Sequence, residues 1–524
     1  MVMRADETSD LTYFHPVMPH WLQRQAATRG DGLAVRCGHQ QLTFSELNDA
    51  AMIAAGQLQA VGVQPGDRVA VLMANGIDFV SLVHAVAYLG AILVPLNYRL
   101  APSELAYQID DVGSRILLCD DTTAAKALET AAMLQGDLRV LTAGPPESAG
   151  DHRTALKSLR SLPTPEARLR SRIDLAEIHS ILYTSGTTGR PKGVMLTYGN
   201  HWWSAMASVL NLRLHRDDVW LACLPFFHTG GLAILMRSVI YGMAVEIQPR
   251  FDPDAVNAAI DAGRVSLLSL VSTMLEKIIE ARAGKPFPTQ LRAILLGGGP
   301  VSPALRQRYI DLGAPVVTSY GMTETASQIA AVPLEDAPDP DGAAGKPLFP
   351  AEVCIGGPGR CLAAGEVGEI WVRGPMVTPG YWGRGEEARP DGWFATGDFG
   401  CFDAAGRLFI VDRREDLIIS GGENVYPAEV EAVIAAHPAV AEVAVVAAPS
   451  RRWGQVPVAF VVPRDGGDLD TVALESYCRK RLAGYKVPVR FYRADRLPRT
   501  ATGKVMRRAL SARLSSAPME DEPY

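Results

Sequence analysis

The stretch Tyr183-Thr184-Ser185-Gly186-Thr187-Thr188-Gly189-Arg190-Pro191-Lys192-Gly193 decides how the rest of the chain is read. The apolar run 178–183 leads into it and reads as a strand entering a buried sheet. Its glycines let the backbone bend closely around an anion, with N–H groups turned inward. Thr184, Ser185, Thr187 and Thr188 add hydroxyl donors, and Arg190 and Lys192 add positive charge. Such a loop suits a polyphosphate. It is not the GxxxxGKS/T loop, because Gly186 is followed by Gly189 and Lys192 precedes Gly193. Composition alone leaves a plain Gly/Thr-rich surface loop open.

The chain around this loop has 524 residues, more than one core usually holds, so two or more domains are expected. Hydrophobic residues make up 48% and charged residues 21%, as in an ordinary soluble globular enzyme. A net charge of −6 gives no reason to expect nucleic acid or an anionic membrane as partner. The opening MVMRADETSD lacks the apolar core of a signal peptide. The longest apolar stretch, around 85–96, contains Gly90 and is too short to span a bilayer. Seven scattered cysteines without a CxxC pair are expected to be reduced thiols of a cytoplasmic protein.

Before the loop, Thr43-Phe44-Ser45-Glu46 has the form of a capping box, opening a helix with Leu47, Ala51, Ala54 and Leu58 at helical spacing. Strands are expected at 68–73, 91–95 and 115–119, with helices at 77–89 and from 103. This alternation implies a mostly parallel sheet covered on both faces. Residues 145–172 read as a loop-rich connection. After the loop come a helix over 201–210 and a strand over 219–224 that ends in Pro225-Phe226-Phe227-His228-Thr229-Gly230-Gly231. A lone His beside aromatics is more often a packing residue, and no second His stands at metal-ligand spacing. Strand 291–296 runs into Gly297-Gly298-Gly299-Pro300, and Ser302-Pro303 has the form of an N-cap followed by proline at the first helical position. Strand 314–319 ends in Tyr320-Gly321-Met322-Thr323-Glu324-Thr325.

The rhythm changes after a charged run, Val411-Asp412-Arg413-Arg414-Glu415-Asp416, set between apolar ones. Gly421-Gly422-Glu423-Asn424 reads as a tight turn. Pro427 begins a helix with Val430, Val433 and Ile434 on one face, followed by strands near 443–446 and 456–462 and a helix over 471–482. This is a compact α+β unit of about a hundred residues, within normal domain size. The tail 515–524 is acidic and proline-bearing and is expected to be disordered.

TSGTTGRPKG resembles the phosphate loop of the adenylate-forming superfamily, which includes acyl- and aryl-CoA synthetases, luciferases and peptide-synthetase adenylation domains. SYGMTET, GWFATGD and PRTATGK resemble further motifs of that superfamily. The resemblance implies an α/β protein with a large N-terminal adenylate-forming domain over 1–412, its parallel sheets flanked by helices. A hinge at 413–416 and a small mobile α+β C-terminal domain over 417–524 would follow. The pivot position, often Asp or Lys in the superfamily, corresponds here to Glu415.

Roles follow residue by residue from the resemblance. Thr184, Ser185, Gly186, Thr187, Thr188, Gly189 and Lys192 would hold the phosphates of ATP. Gly298, Gly299, Tyr320 and Gly321 would enclose adenine, and Thr323 would contact the α-phosphate. Glu324 would hold Mg²⁺, a hard cation that takes carboxylate oxygen. Asp398, with two acceptor oxygens for a diol, would bind the ribose together with Arg413. Lys504 would catalyse adenylate formation, and His228 would gate the acyl pocket. Gly421 and Gly422 would approach the pantetheine arm of coenzyme A after rotation of the small domain. The expected partners are a small carboxylic acid, ATP and coenzyme A, with no nucleic acid, no membrane span and room for a homodimer.

Within the superfamily, NHWWSA at 200–205, SYGMTETASQI at 319–329 and GKPLF at 345–349 resemble the 2-succinylbenzoate–CoA ligases of menaquinone biosynthesis. Such an acid has an aromatic ring, a keto group and a second carboxylate, so it needs an apolar slot with a few polar donors. His201, Ser272, Thr273, Ser327 and Gln328 are the candidates for them, while Trp202 and Trp203 include at least one ordinary helix-packing residue. A medium- or long-chain fatty-acyl-CoA synthetase shares the nucleotide motifs and remains an alternative. So, less favoured, does a non-catalytic nucleotide-binding protein.

Overall fold

A computed structural model describes residues 17–144, 156–164, 168–184, 191–299, 301–384, 390–412, 417–464, 469–498 and 505–514. Local signals set many element ends. Thr43 Oγ1 accepts from the Glu46 N–H while the Glu46 carboxylate accepts from the Thr43 N–H, and the helix Phe44–Ala60 starts there. Leu47, Ala51, Ala54 and Leu58 all face the core. The apolar helix Ile77–Leu89 stops at Gly90, whose φ of +68° a side chain resists. Ser302 caps the helix Pro303–Asp311 through the Leu305 N–H.

Two large sheets dominate. In the first, the strands run in the order Lys192–Thr197, Ile178–Thr184, Ile92–Pro95, Arg68–Leu72, Ile116–Cys119, Arg139–Thr142 and Lys157–Ser158. Its leading pair is antiparallel and the rest are parallel. The second has a parallel centre of Val316–Met322, Ala293–Leu296, Leu267–Leu270, Val219–Ala222, Ala244–Ile247 and Leu33–Cys37. Antiparallel strands flank that centre. Central strands such as Ile116–Cys119 and Ala293–Leu296 are buried throughout, as helices on both faces require. A four-stranded antiparallel sheet carrying Phe394–Phe402 completes the large domain.

The small domain folds around its own sheet of Glu423–Val425, Ile418–Ser420, Gly454–Pro463, Val440–Ser450 and Arg490–Arg493. Val430 and Ile434 of the helix Pro427–Ala435, with Leu474 of the helix Thr471–Arg479, pack on Ile418, Val445 and Val461.

Some expectations are corrected. Tyr320 and Gly321 do not follow a strand; the strand Val316–Met322 runs through them and turns back antiparallel into Ser327–Ala331. Glycine is required at 321 because a Cβ there would lie 1.8 Å from the Ser327 carbonyl oxygen. Lys192 opens a strand, Lys192–Thr197, and His228 caps a helix, Thr229–Tyr241; neither element was expected. Cysteines 354 and 361 form a disulfide, against the expectation of seven reduced thiols, because the bend between Glu352–Ile355 and Gly368–Arg373 brings them together. Among the described residues, no helix is long and apolar enough to cross a membrane.

Candidate active site

The carboxyl ends of parallel strands and the hairpin of the small domain enclose a cavity of about 810 Å³. At one end lie Thr184, the last residue of its strand, and Lys192, the first of the next. Residues 185–190, with the predicted Ser185, Gly186, Thr187, Thr188 and Gly189, lie between them and outside the described residues. The Lys192 ammonium stands 4.8 Å from the centre of the Tyr381 ring. The Tyr381 hydroxyl donates to Glu324 Oε1 at 2.9 Å, and the Thr378 N–H donates to the Glu324 carbonyl at 2.8 Å. Glu324 is therefore fixed at both ends, in a short 3-10 turn, Thr323–Thr325.

Glu324 and the hydroxyls of Thr184 and Thr323 line one cavity, and hard oxygen donors of this kind suit Mg²⁺. Among the described residues there is no cluster of three metal-ligating side chains.

Asp398, Gly298 and Gly321 also reach the wall of the cavity. Tyr320 and Gly299 do not; Tyr320 is buried behind Asp398 and donates to its Oδ2 at 2.8 Å. Tyr320 thus orients the carboxylate assigned to the ribose. Arg413, Glu415 and Lys504 fall outside the described residues.

The small domain enters the cavity through Gly421, Gly422 and Glu423. Both glycines adopt positive φ, +60° and +89°. A Cβ on Gly421 would come within 2.7 Å of the Trp453 ring, and one on Gly422 within 3.2 Å of Val271 in the large domain. The turn is thin because it packs between Trp453 of its own domain and Val271 of the large domain. Glu423 follows it and meets Arg99, Asn97 and His228, all of the large domain. Its carboxyl is buried, which pushes the pKa up, but His228 and Arg99 outweigh burial and hold it down at about 2.

Thr273, Ser327 and Gln328, three of the residues expected to contact the acid, line the same cavity. Ser327 holds a φ of +109°, rare for a residue with a side chain. His201 and Ser272 stay off the wall. His201 is buried, with Nε2 3.2 Å from Ser180 Oγ, and burial together with nearby Arg237 pushes its pKa down to about 3. Trp202 stacks on Trp21, a packing role.

Sequence reasoning missed Arg237. It lies on the helix Thr229–Tyr241, is 2% exposed, and lines the cavity. Among the described residues its Nε and Nη2 have no hydrogen-bond partner, and its guanidinium lies 5.4 Å from the Trp220 ring centre. Burial lowers its pKa, yet an arginine stays protonated under any ordinary condition. Gln328 donates to Ser208 Oγ at 3.0 Å, and its Oε1 has no partner among the described residues. The signal was present: Arg237 is the one charge in the run TGGLAILMRSVIY.

The profile of the AMP-binding enzyme family matches residues 22–382, and that of the AMP-binding enzyme C-terminal domain matches 429–504. The chain belongs to the AMP-binding enzyme family. A family member from Geobacillus kaustophilus, a 2-succinylbenzoate–CoA ligase, is 48% identical over 496 residues, covering 94% of this chain and 97% of its own. The o-succinylbenzoate CoA synthetase (MenE) of Bacillus subtilis has been solved as a double mutant with its product analogue OSB-NCoA. That structure superposes with a TM-score of 0.87 at 40% identity, covering 95% of this chain and 99% of the other. The same synthetase with the acyl-adenylate intermediate OSB-AMP gives 0.71 at 40% identity, covering 94% and 98%.

Proposed function

We propose that the chain is an ATP-dependent 2-succinylbenzoate–CoA ligase of menaquinone biosynthesis. The observation that carries this reading is Arg237. A buried guanidinium on the cavity wall, two of whose nitrogens have no partner among the described residues, calls for an anion. A dicarboxylic acid supplies one, since one carboxylate is activated while the other remains charged. A fatty acid would leave Arg237 buried beside hydrocarbon, so the fatty-acyl alternative is disfavoured. The many near relatives that carry the same name support the same choice.

In the first half-reaction the acid's carboxylate oxygen attacks the α-phosphorus of ATP, and pyrophosphate leaves. In the second the thiol of coenzyme A attacks the acyl carbon, loses its proton, and AMP leaves. Lys192 and Thr184 on the cavity wall support a phosphate end there, where fixed donors stabilise the charge that develops in transfer. Mg²⁺, when held by Glu324, neutralises phosphate charge. Asp398, steadied by Tyr320, is assigned to the ribose hydroxyls, and Lys504 is assigned to adenylate formation. Insertion of the Gly421–Gly422 turn beside the acyl end supports an arrangement suited to thiol transfer. Rotation about a hinge at 413–416, joining domains over 1–412 and 417–524, belongs to the same reading, as do a cytoplasmic location and a homodimer.

The test is pyrophosphate release across a panel of acids. Release with 2-succinylbenzoate and not with decanoate is expected. Activity with decanoate alone would overturn the substrate, and inactivity with every acid would favour a non-catalytic nucleotide-binding protein.

A further inference from the structure

At the wall of the same cavity, a second charged cluster joins the two domains. Lys486, only 3% exposed, lies in the short turn Gly484–Lys486 of the small domain. Its ammonium donates to Glu104 Oε1 of the large domain at 2.6 Å and to Glu429 Oε1 of the small domain at 2.7 Å. Both carboxylates are themselves buried. Burial alone would lower the lysine pKa, but Glu104 and Glu429 outweigh it and raise it.

The surroundings are apolar. Ala483 packs into the large-domain cluster formed by Leu100, Leu105 and Ile109, and Tyr485 packs against it too. All three groups are buried, so the pairing depends on close geometry rather than on long-range attraction.

The two acids stand in equivalent places. Glu104 is in the first turn of the helix Pro102–Val112, where its Oε2 also accepts from the Ala101 N–H at 2.8 Å. Glu429 is in the first turn of the helix Pro427–Ala435. A carboxylate is stabilised at a helix N-terminus without any lysine. Lys126, held by the Tyr98 and Leu100 carbonyls, lies near enough to interact with Glu104. If the domains part, Lys486 and Glu429 leave together as a pair, and Glu104 keeps its cap. Neither side is then left with a bare buried charge. The contact can therefore be made and broken in each catalytic cycle, which a purely structural buried triad could not.

Resting on the proposed ligase reading, we infer that Lys486 is a positioning residue for thioester formation. By bridging Glu104 to Glu429 it holds the domain arrangement that seats Gly421, Gly422 and Glu423 in the cavity. Lys486 lies on the wall of the same cavity as the nucleotide-binding groups, but its ammonium is taken up by Glu104 and Glu429, so it acts through the domain arrangement rather than on the nucleotide.

The experiment separates the half-reactions in the full-length chain. Lys486→Met is compared with wild type in pyrophosphate release with 2-succinylbenzoate, and in the CoA-dependent consumption of supplied 2-succinylbenzoyl-adenylate. Breaking one buried pair is expected to slow the second assay about 100-fold, with the first held within about threefold. Glu104→Gln, which retains an acceptor for the Ala101 N–H, serves where the lysine variant fails to fold, and the same split is expected. Equal loss in both half-reactions, or none in either, would overturn the inference. Small-angle scattering with coenzyme A present tests it without chemistry. The profile of Lys486→Met is expected to depart from wild type, and identical profiles would refute the bridge. Should wild type adenylate no acid at all, the ligase reading falls while the scattering result still judges the bridge.

Discussion

Glu423 and His228 meet across the domain boundary, both carboxylate oxygens lying 3.1 Å from the imidazole Nε2. Arg99 pairs with the same carboxylate. One small-domain acid thus engages an arginine and a histidine of the large domain at the cavity, and the thin glycine turn ahead of it is seated by that engagement.

Removing the charge tests this. Glu423 is buried, but Arg99 and His228 are each more than a third exposed, so solvent weakens the pairing. Glu423→Gln is expected to slow thiol transfer from supplied acyl-adenylate about tenfold, the equivalent of about 1.4 kcal/mol. Pyrophosphate release should change little. Single-turnover assays of each half-reaction check it, and an unchanged thiol-transfer rate would refute it.

In the proposed reading, Arg237 selects the acid. Arg237→Met is expected to lower kcat/KM for 2-succinylbenzoate about 100-fold, in line with loss of one member of a buried charge pair. Activity with decanoate should hold or rise, because the isolated cation is gone. Pyrophosphate-release kinetics with the two acids are the measurement, and a parallel fall for both would count against the assignment.

Tyr381→Phe keeps the ring beside Lys192 and removes the hydroxyl that donates to Glu324. The carboxylate then loses an orienting partner. The Mg²⁺ concentration for half-maximal adenylate formation is expected to rise about tenfold. A magnesium titration at fixed ATP reads this out, and an unshifted midpoint would show that the hydroxyl plays no part.

A third region makes stability depend on pH. Burial pushes the pKa of His20 down to about 3, of His84 to about 4 and of His201 to about 3, and that of His179 well below its ordinary value. These imidazoles stay neutral in the fold, whereas in the unfolded chain they gain protons near pH 6.5. The unfolded state therefore binds more protons between pH 6.5 and the folded values. Stability is complete above about 6.5 and falls as the pH drops toward 4, by up to about 1.4 kcal/mol per pH unit for each histidine. Urea unfolding at pH 7.5 and 5.5 should show a clearly lower midpoint at 5.5. Equal midpoints would mean that the imidazoles reach water in the native state.

How much of this was legible depended on how local the cause was. Helix ends are decided by a few neighbours, so Thr43 with Glu46, Gly90, and Ser302 with Pro303 announce them in sequence. Thr184, Lys192, Thr323, Glu324 and Asp398 stand in recognisable motifs, and the fold brings all five to one cavity. The fate of Tyr320 was not legible: its hydroxyl faces Asp398 only because distant strands bring them together. Glu423 read as part of a turn, since its partners Arg99 and His228 lie far away in the chain. His201 was placed on the cavity by its neighbours in sequence, but the register of its helix turns it toward Ser180.

In the proposed reading, the buried guanidinium on the cavity wall also changes what rejection of a wrong acid requires. A wall that discriminates by size must fit tightly, and extra methylenes separate guests by only about 1–3 kcal/mol. A fixed cation works differently: any lodger lacking a matching anion strands the charge in hydrocarbon, whatever its shape. Fidelity toward a two-headed acid can then coexist with a roomy compartment, and loss of one side chain would make the enzyme a generalist.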